Sequence, residues 1–195
     1  MEATQTDAAA LARSVTDPAA FEVVFERHYP VLNAYLARRL GSAAADDVAS
    51  ETFLVAFRRR RDYDTRHPDA RPWLFGIAIN LARSHLRAER RRLTLHANSD
   101  PGGPDLRLSA VDRQLSTDER RRLLSAIAGL RRGERDALTL FALADLTYDE
   151  IARALNISAG TVASRLSRAR QTLRAELGAD STSLSLCIAK EAADA

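Results

Sequence analysis

This 195-residue chain has one cysteine, four histidines and one lysine, and each shortage removes a class of chemistry. Cys187 stands alone, so neither an intrachain disulfide nor a thiolate metal cage is available. His28, His67, His85 and His96 are scattered without metal-ligand spacing, so no metal or other cofactor is expected. No segment approaches the length of an apolar membrane span, and the acidic N-terminus does not look like a secretion signal. A soluble, cytoplasmic protein is the expectation. A glycine-rich phosphate loop and a nucleophile–base signature are also missing, which argues against an enzyme.

Arginine is what the chain has in quantity. Lys190 is the only lysine among 29 basic residues. Arginine forks onto phosphate and guanine and stacks on bases, which suits nucleic acid, although GC-rich codons would also enrich it. The charge is segregated along the chain. Residues 1–57 hold eight acids and four arginines, whereas residues 58–92 hold eleven arginines and four acids. Blocks of opposite sign suggest one surface for nucleic acid and another for a different partner.

Periodicity points to an all-α chain of two small helical domains joined by a flexible linker. Residues 1–16 read as a loose Ala/Thr tail. Asp17-Pro18 is a helix start, a cap followed by proline at the first helical position. Phe21, Val24, Phe25, His28, Leu32, Tyr35, Leu36 and Leu40 then recur at helical spacing, and Gly41 stops the run. A second helix spans about 43–60, with Val48, Ala49, Thr52, Phe53 and Ala56 on its apolar face. Asp46, Asp47, Ser50, Glu51 and Leu54 lie on the other face. A loop over 62–70 leads to a third helix over about 71–92. Its expected buried set is Leu74, Ile77, Ala78, Leu81 and Leu86. Residues 17–92 thus form the first domain. The breaker run Asn98-Ser-Asp-Pro-Gly-Gly-Pro-Asp marks a linker over 93–115. That linker is long enough for the domains to pack on each other or to be clamped by a second protein. The second domain, 116–177, opens on a Ser116/Glu119 capping box, and residues 178–195 form a C-terminal tail.

The end of the second domain is the most specific stretch. Thr147 and Glu150 have capping-box spacing, with Leu146 and Ile151 at the staple positions. Asn156 suits a left-handed turn, and Ser158 caps a second helix. Together these define a helix-turn-helix whose second helix is shaped for a DNA major groove. On that helix Val162, Leu166, Ala169, Leu173 and Leu177 form the packed stripe. Thr161, Ser164, Arg168 and Gln171 lie opposite, residue types that bond base edges and phosphates. Arg165, Arg170 and Arg174 flank them.

Two separated motifs carry a family resemblance. Asp47-Val-Ala-Ser-Glu-Thr-Phe-Leu-Val-Ala-Phe57 followed by Trp73-Leu-Phe-Gly-Ile-Ala-Ile-Asn-Leu-Ala-Arg83 resembles domain 2 of extracytoplasmic-function (group IV) sigma factors of bacterial RNA polymerase, in the sigma-70 family. Thr147 to Leu177, with Gly-Thr-Val-Ala-Ser-Arg-Leu-Ser-Arg-Ala-Arg, resembles their domain 4. The resemblance implies a transcription-initiation subunit. Domain 2 would bind core polymerase and recognise and melt the −10 element, and domain 4 would recognise the −35 element. The implied partners are RNA polymerase core, at its clamp helices and flap, promoter DNA and, as a candidate, an anti-sigma factor.

Carried over by position, Asp47, Ser50, Glu51 and Leu54 match the core-binding surface. Tyr63, Trp73, Asn80, Arg83, Arg87, Arg90 and Arg91 match the −10 region. Ser158, Thr161, Ser164, Arg165 and Arg168 match the −35 reader. Single-strand binding needs aromatic platforms beside a basic channel, and Trp73, Phe75 and Tyr63 with Arg58–Arg61 offer both, although Phe75 equally suits the core. Three positions depart from the family pattern. Ser50 replaces a usual Gln, Ser84 a common Asp, and Arg132-Gly133 a usual Leu-Pro. The alternative reading is an autonomous helix-turn-helix transcriptional regulator, which would bind duplex DNA without polymerase.

Overall fold

The computed structural model describes residues 5–95 and 117–178. The described residues form eight α-helices: α1 (Asp7–Ser14), α2 (Glu22–Leu40), α3 (Ser42–Arg58), α4 (Arg71–Leu95), α5 (Thr117–Gly129), α6 (Arg132–Ala144), α7 (Tyr148–Leu155) and α8 (Ala159–Leu177). Short 3₁₀ turns cover Pro18–Phe21 and Arg60–Asp62. The expected Ser116 cap, most of the linker and the tail beyond Gly178 lie outside the described residues.

Turn chemistry sets the first bundle. Asp17 accepts from the Ala19 amide, with Pro18 next to it, and opens the turn into α2. Gly41 then reverses the chain at φ +84°, a left-handed backbone that a side chain strains against. α2 and α3 pack together through Val24, Leu32, Val48, Ala49 and Phe53, all buried. Phe25, expected in that stripe, is instead 39 % exposed and lies against Tyr29 and Phe53. It sits at the edge of the stripe, where the neighbouring aromatics fill the seam before it.

The N-terminus differs from the loose tail expected over 1–16. Residues 7–14 are helical and fastened to the bundle. An eight-residue helix is marginal alone, so tertiary contacts must hold it. Ala8, Ala10 and Leu11 are buried, and the Asp7 carboxylate is buried against α2 and the start of α4. The apolar face is two turns long and made mostly of alanine, too small to stand out as periodicity.

The second bundle follows the expected caps. Thr147 and Glu150 form the capping box of α7, Asn156 takes the left-handed position at φ +52°, and Ser158 accepts from the Thr161 amide. Leu146 and Ile151, the staple pair, are fully buried. Val162, Leu166, Ala169 and Leu173 of α8 pack inward against α5, α6 and α7.

The two bundles meet along α4. Besides the expected Leu74, Ile77 and Ala78, this helix buries Phe75 and Ile79. It packs on α2 and α3 and also on α7. Gly76 makes the approach to α7 possible, because a Cβ there would lie 2.7 Å from the Ala154 carbonyl oxygen.

Candidate nucleic-acid and partner interfaces

The helix-turn-helix presents a free face. Ser164, Arg168 and Gln171 are exposed on α8, and Thr161 and Arg165 are partly so. Their local partners are few. The Ser158 hydroxyl caps α8 and lies 2.9 Å from the Thr161 hydroxyl. Ser164 donates to the Thr161 carbonyl, and Arg168 reaches Ser164 at 3.3 Å and Glu134 at 3.6 Å. Arg165 lies across the start of α6, where a Cβ at Gly133 would come within 2.9 Å of its guanidinium. The glycine that replaces the usual proline therefore leaves room for that arginine. Arg170 does not flank this face as expected. It is buried beside Phe141 and donates to the Tyr148 hydroxyl, because position 170 follows Leu166 by one turn and lies at the edge of the packed stripe.

A second candidate surface surrounds the start of α4. Trp73 is half-buried and packs on Tyr63 with ring centroids 5.1 Å apart. Tyr63 is itself buried, and its hydroxyl donates to the carbonyls of His67 and Asp69. Burial, with Asp7 and Asp69 nearby, pushes its pKa up to about 12, so the proton that makes both bonds is firmly held. Tyr63 thus supports the loop and the indole rather than offering an open stacking face. Phe75 belongs to the core, in edge-to-face contact with Tyr35. Asn80 is exposed and accepts from Arg83. Arg87 and Arg91 are exposed further along α4, and Arg90 lies between them on the same helix.

Arg83 is engaged from the other bundle. Its guanidinium bonds the Asp136 carboxylate of α6 at 2.5 and 3.1 Å. Asp136 is fully buried and also pairs with Arg39 of α2, which in turn donates to the Tyr35 and Thr139 hydroxyls. Burial opposes the Arg39 charge, but Tyr35 and Asp136 outweigh it and push its pKa above the ordinary value. Two further bonds cross the same seam: Arg71 to the Ala144 carbonyl, and Arg153 to His67. Sequence reasoning missed Arg39, Asp136 and Gly76. A lone charge on an apolar helix face was the available signal for Asp136, but its partners lie 53 and 97 residues away.

The third surface lies on α3. Asp47, Ser50 and Glu51 are exposed, and Leu54 is 47 % exposed beside them. The opposite face of the helix is packed through Val48, Thr52, Phe53 and Ala56, so these four form a stiff, unpartnered strip. Asp46, one residue earlier, is occupied by Asn33 and Tyr29.

Comparisons with known proteins match both halves of the chain. Residues 24–92 match the family Sigma-70 region 2, and residues 120–173 match Sigma-70, region 4. RNA polymerase sigma factor CarQ of Myxococcus xanthus is 35 % identical over 162 residues, covering 82 % of this chain and 90 % of CarQ. The ECF RNA polymerase sigma-E factor of Escherichia coli is 30 % identical, covering 80 % of this chain and 86 % of its own length. The solved structure of CnrH, in complex with the cytosolic domain of CnrY, superposes with a TM-score of 0.64 at 28 % identity, covering 90 % of this chain and 99 % of that one. With both regions present in order and a relative of this identity spanned nearly end to end, the chain belongs to the extracytoplasmic-function sigma factors of the sigma-70 family, the RNA polymerase subunits that direct promoter recognition and transcription initiation.

Proposed function

We propose that three surfaces of this sigma factor divide the work. The α3 strip of Asp47, Ser50, Glu51 and Leu54 docks on the clamp helices of polymerase core. Trp73, Asn80, Arg83, Arg87, Arg90 and Arg91 take the −10 element, with Tyr63 supporting Trp73 from below. Ser158, Thr161, Ser164, Arg165 and Arg168 take the −35 element. The observation that carries this division is exposure: acids with one apolar point on one packed helix, and polar and basic groups on another. An acidic strip steers toward a basic partner, and the exposed leucine supplies apolar burial. Arginines on α8 supply sequence-independent attraction to phosphate, while Thr161 and Ser164 face base edges.

The protein works in the cytoplasm with polymerase, as a specificity subunit rather than a catalyst. An anti-sigma factor is its regulatory partner in this reading. CnrH, bound to the CnrY cytosolic domain, is the relative that supports it. The Ser50 hydroxyl is shorter than the glutamine usual at that place, so docking leans on Glu51 and Leu54.

The test is core association. Asp47→Lys with Glu51→Lys is expected to abolish co-purification with polymerase core while helicity stays as in wild type, since both side chains are exposed. Undiminished core binding by the folded double variant removes the α3 strip from the interface.

A further inference from the structure

α1 is tied at both ends to the loop that carries the candidate −10 surface, and it lies before the region 2 match begins at residue 24. At its N-terminus, Asp7 accepts from the Ala70 amide at 2.9 Å, and Ala8 donates to the Pro68 carbonyl at 3.3 Å. At its C-terminus, the Ser14 carbonyl accepts from Arg60 at 3.0 Å. The residues between these anchors, Tyr63 to Asp69, form the loop under Trp73. α1 therefore straps that loop, joining its entry at Arg60 to its exit at Ala70.

The strap ends on the first turn of α4. A helix leaves its first four amides without intrahelical acceptors, and a carboxylate there also meets the positive end of the helix dipole. Asp69 takes the Arg71 amide at 2.8 Å, a local cap. Asp7 takes the Ala70 amide from far away in sequence, and is itself fixed by His28 at 2.6 Å and by Arg27. Burial pushes the Asp7 carboxyl up, but the bonds from His28 and Ala70 and the charge of Arg27 outweigh it and hold it at about 2. Trp73 stands on that same first turn, four residues after the Asp69 cap and three after Ala70.

We propose that Asp7 is a positioning residue for −10 recognition: through the Ala70 amide it sets where α4 begins and so where Trp73 and the Tyr63–Asp69 loop meet the opened strand. The inference rests on the reading of this surface as the −10 site. An indole that must receive an unstacked base tolerates little displacement, and a shift of about 1 Å far from a contact is enough to weaken it strongly.

Trp73 is the only tryptophan, so its emission reports on this place alone. Holoenzyme containing Asp7→Ala is expected to bind single-stranded −10 oligonucleotide about ten-fold more weakly, the scale of one lost buried cap. Core affinity and duplex −35 binding stay as in wild type, and Trp73 emission shifts in the free chain. Asp7→Asn, which keeps an oxygen for the Ala70 amide, recovers most of the loss. Leu11→Ala loosens the strap without touching a charge, so it gives the same selective loss even if Asp7→Ala fails to fold. Equal loss of core, −35 and −10 binding overturns the proposal, because α1 is then only part of the core. Wild-type −10 binding by Asp7→Ala and Leu11→Ala, beside a weakened Trp73→Ala, overturns the role of Asp7 alone. Wild-type binding by Trp73→Ala overturns the −10 reading and the proposal with it.

Discussion

α4 and α8 both carry arginines at helical spacing, yet the fold treats them differently. α8 packs one stripe inward and leaves Ser164, Arg168 and Gln171 in solvent. α4 is covered on two sides, by α2 and α3 on one and by α7 on the other, and its Arg83 is held by Asp136 of α6. The proposed −35 surface is thus largely open, with Arg168 reaching Glu134 of its own bundle only at 3.6 Å, whereas part of the proposed −10 surface is occupied by the other bundle. Arg83, hydrogen-bonded to a fully buried carboxylate of the other bundle, is unavailable to phosphate until that contact opens. On the proposed assignment, the same chain holds one promoter-reading surface largely open and the other partly closed.

The most direct way to break this difference is to remove the buried carboxylate. Asp136→Ala leaves Arg39 buried without its main counter-charge, and breaking such a pair costs about 3–5 kcal/mol. We expect the bundles to separate, seen as a larger radius of gyration in solution scattering. Arg83 is released at the same time, so the free chain gains affinity for single-stranded −10 DNA. A compact variant with unchanged DNA binding would show that Asp136 does not hold the seam.

Gly76→Ala probes the seam without changing charge. The added Cβ falls 2.7 Å from the Ala154 carbonyl oxygen, which belongs to backbone and cannot swing aside. Overpacking of this kind costs about 1–3 kcal/mol. α7 is expected to lift from α4 while each bundle keeps its helicity, so a donor–acceptor pair placed on the two bundles reports lower energy transfer. Unaltered transfer would mean that the contact is loose enough to absorb a methyl group.

On α8 the comparison is sharpened by Arg168→Ala. Loss of a bidentate base contact costs about 1–3 kcal/mol and is confined to one promoter position. A phosphate contact gives a uniform loss and lowers the salt slope by about one. Holoenzyme affinities on a −35 substitution series separate the two. Promoter selection identical to wild type in strength and sequence takes Arg168 out of the site.

The smallest effect concerns acid. The Asp7 carboxyl titrates at about 2 in the fold against an ordinary value of 3.8. A depressed pKa stabilises above the ordinary value and loses that contribution as pH falls through the folded one. The α1 strap is therefore expected to hold fully above about pH 4 and to weaken toward pH 2. Trp73 emission should follow this titration in wild type and lose this transition in Asp7→Asn. An identical transition in both would assign it to other carboxylates.

How much could be read in advance follows the range of the interactions. The α7–α8 unit was legible almost residue by residue, because caps, staple and turn act within a few positions of each other. Thr147, Glu150, Asn156 and Ser158 all took the places their chemistry suggests. The α3 strip was legible for a related reason: a period of 3.6 sorts a helix into faces, and Asp47, Ser50, Glu51 and Leu54 fell on the unpacked one. Arg170 and Phe25 were misplaced at stripe edges, where the angle alone does not decide burial. Tyr63 was named as a platform from its type, but its neighbours make it a support.

The sequence by itself determined most of the helices, the caps of α7 and α8 and the family. Each of those depends on local capping energies or on patterns that repeat along one helix. Only the tertiary structure decided that residues 7–14 strap the loop beside Trp73, that Gly76 admits Ala154, and that Asp136 closes on Arg39 and Arg83. Those contacts join residues separated by 46 to 97 positions or rest on a single missing Cβ. Such a pairing has no period to betray it. Its energy appears only when burial removes water from both partners and leaves each charge no other place to go.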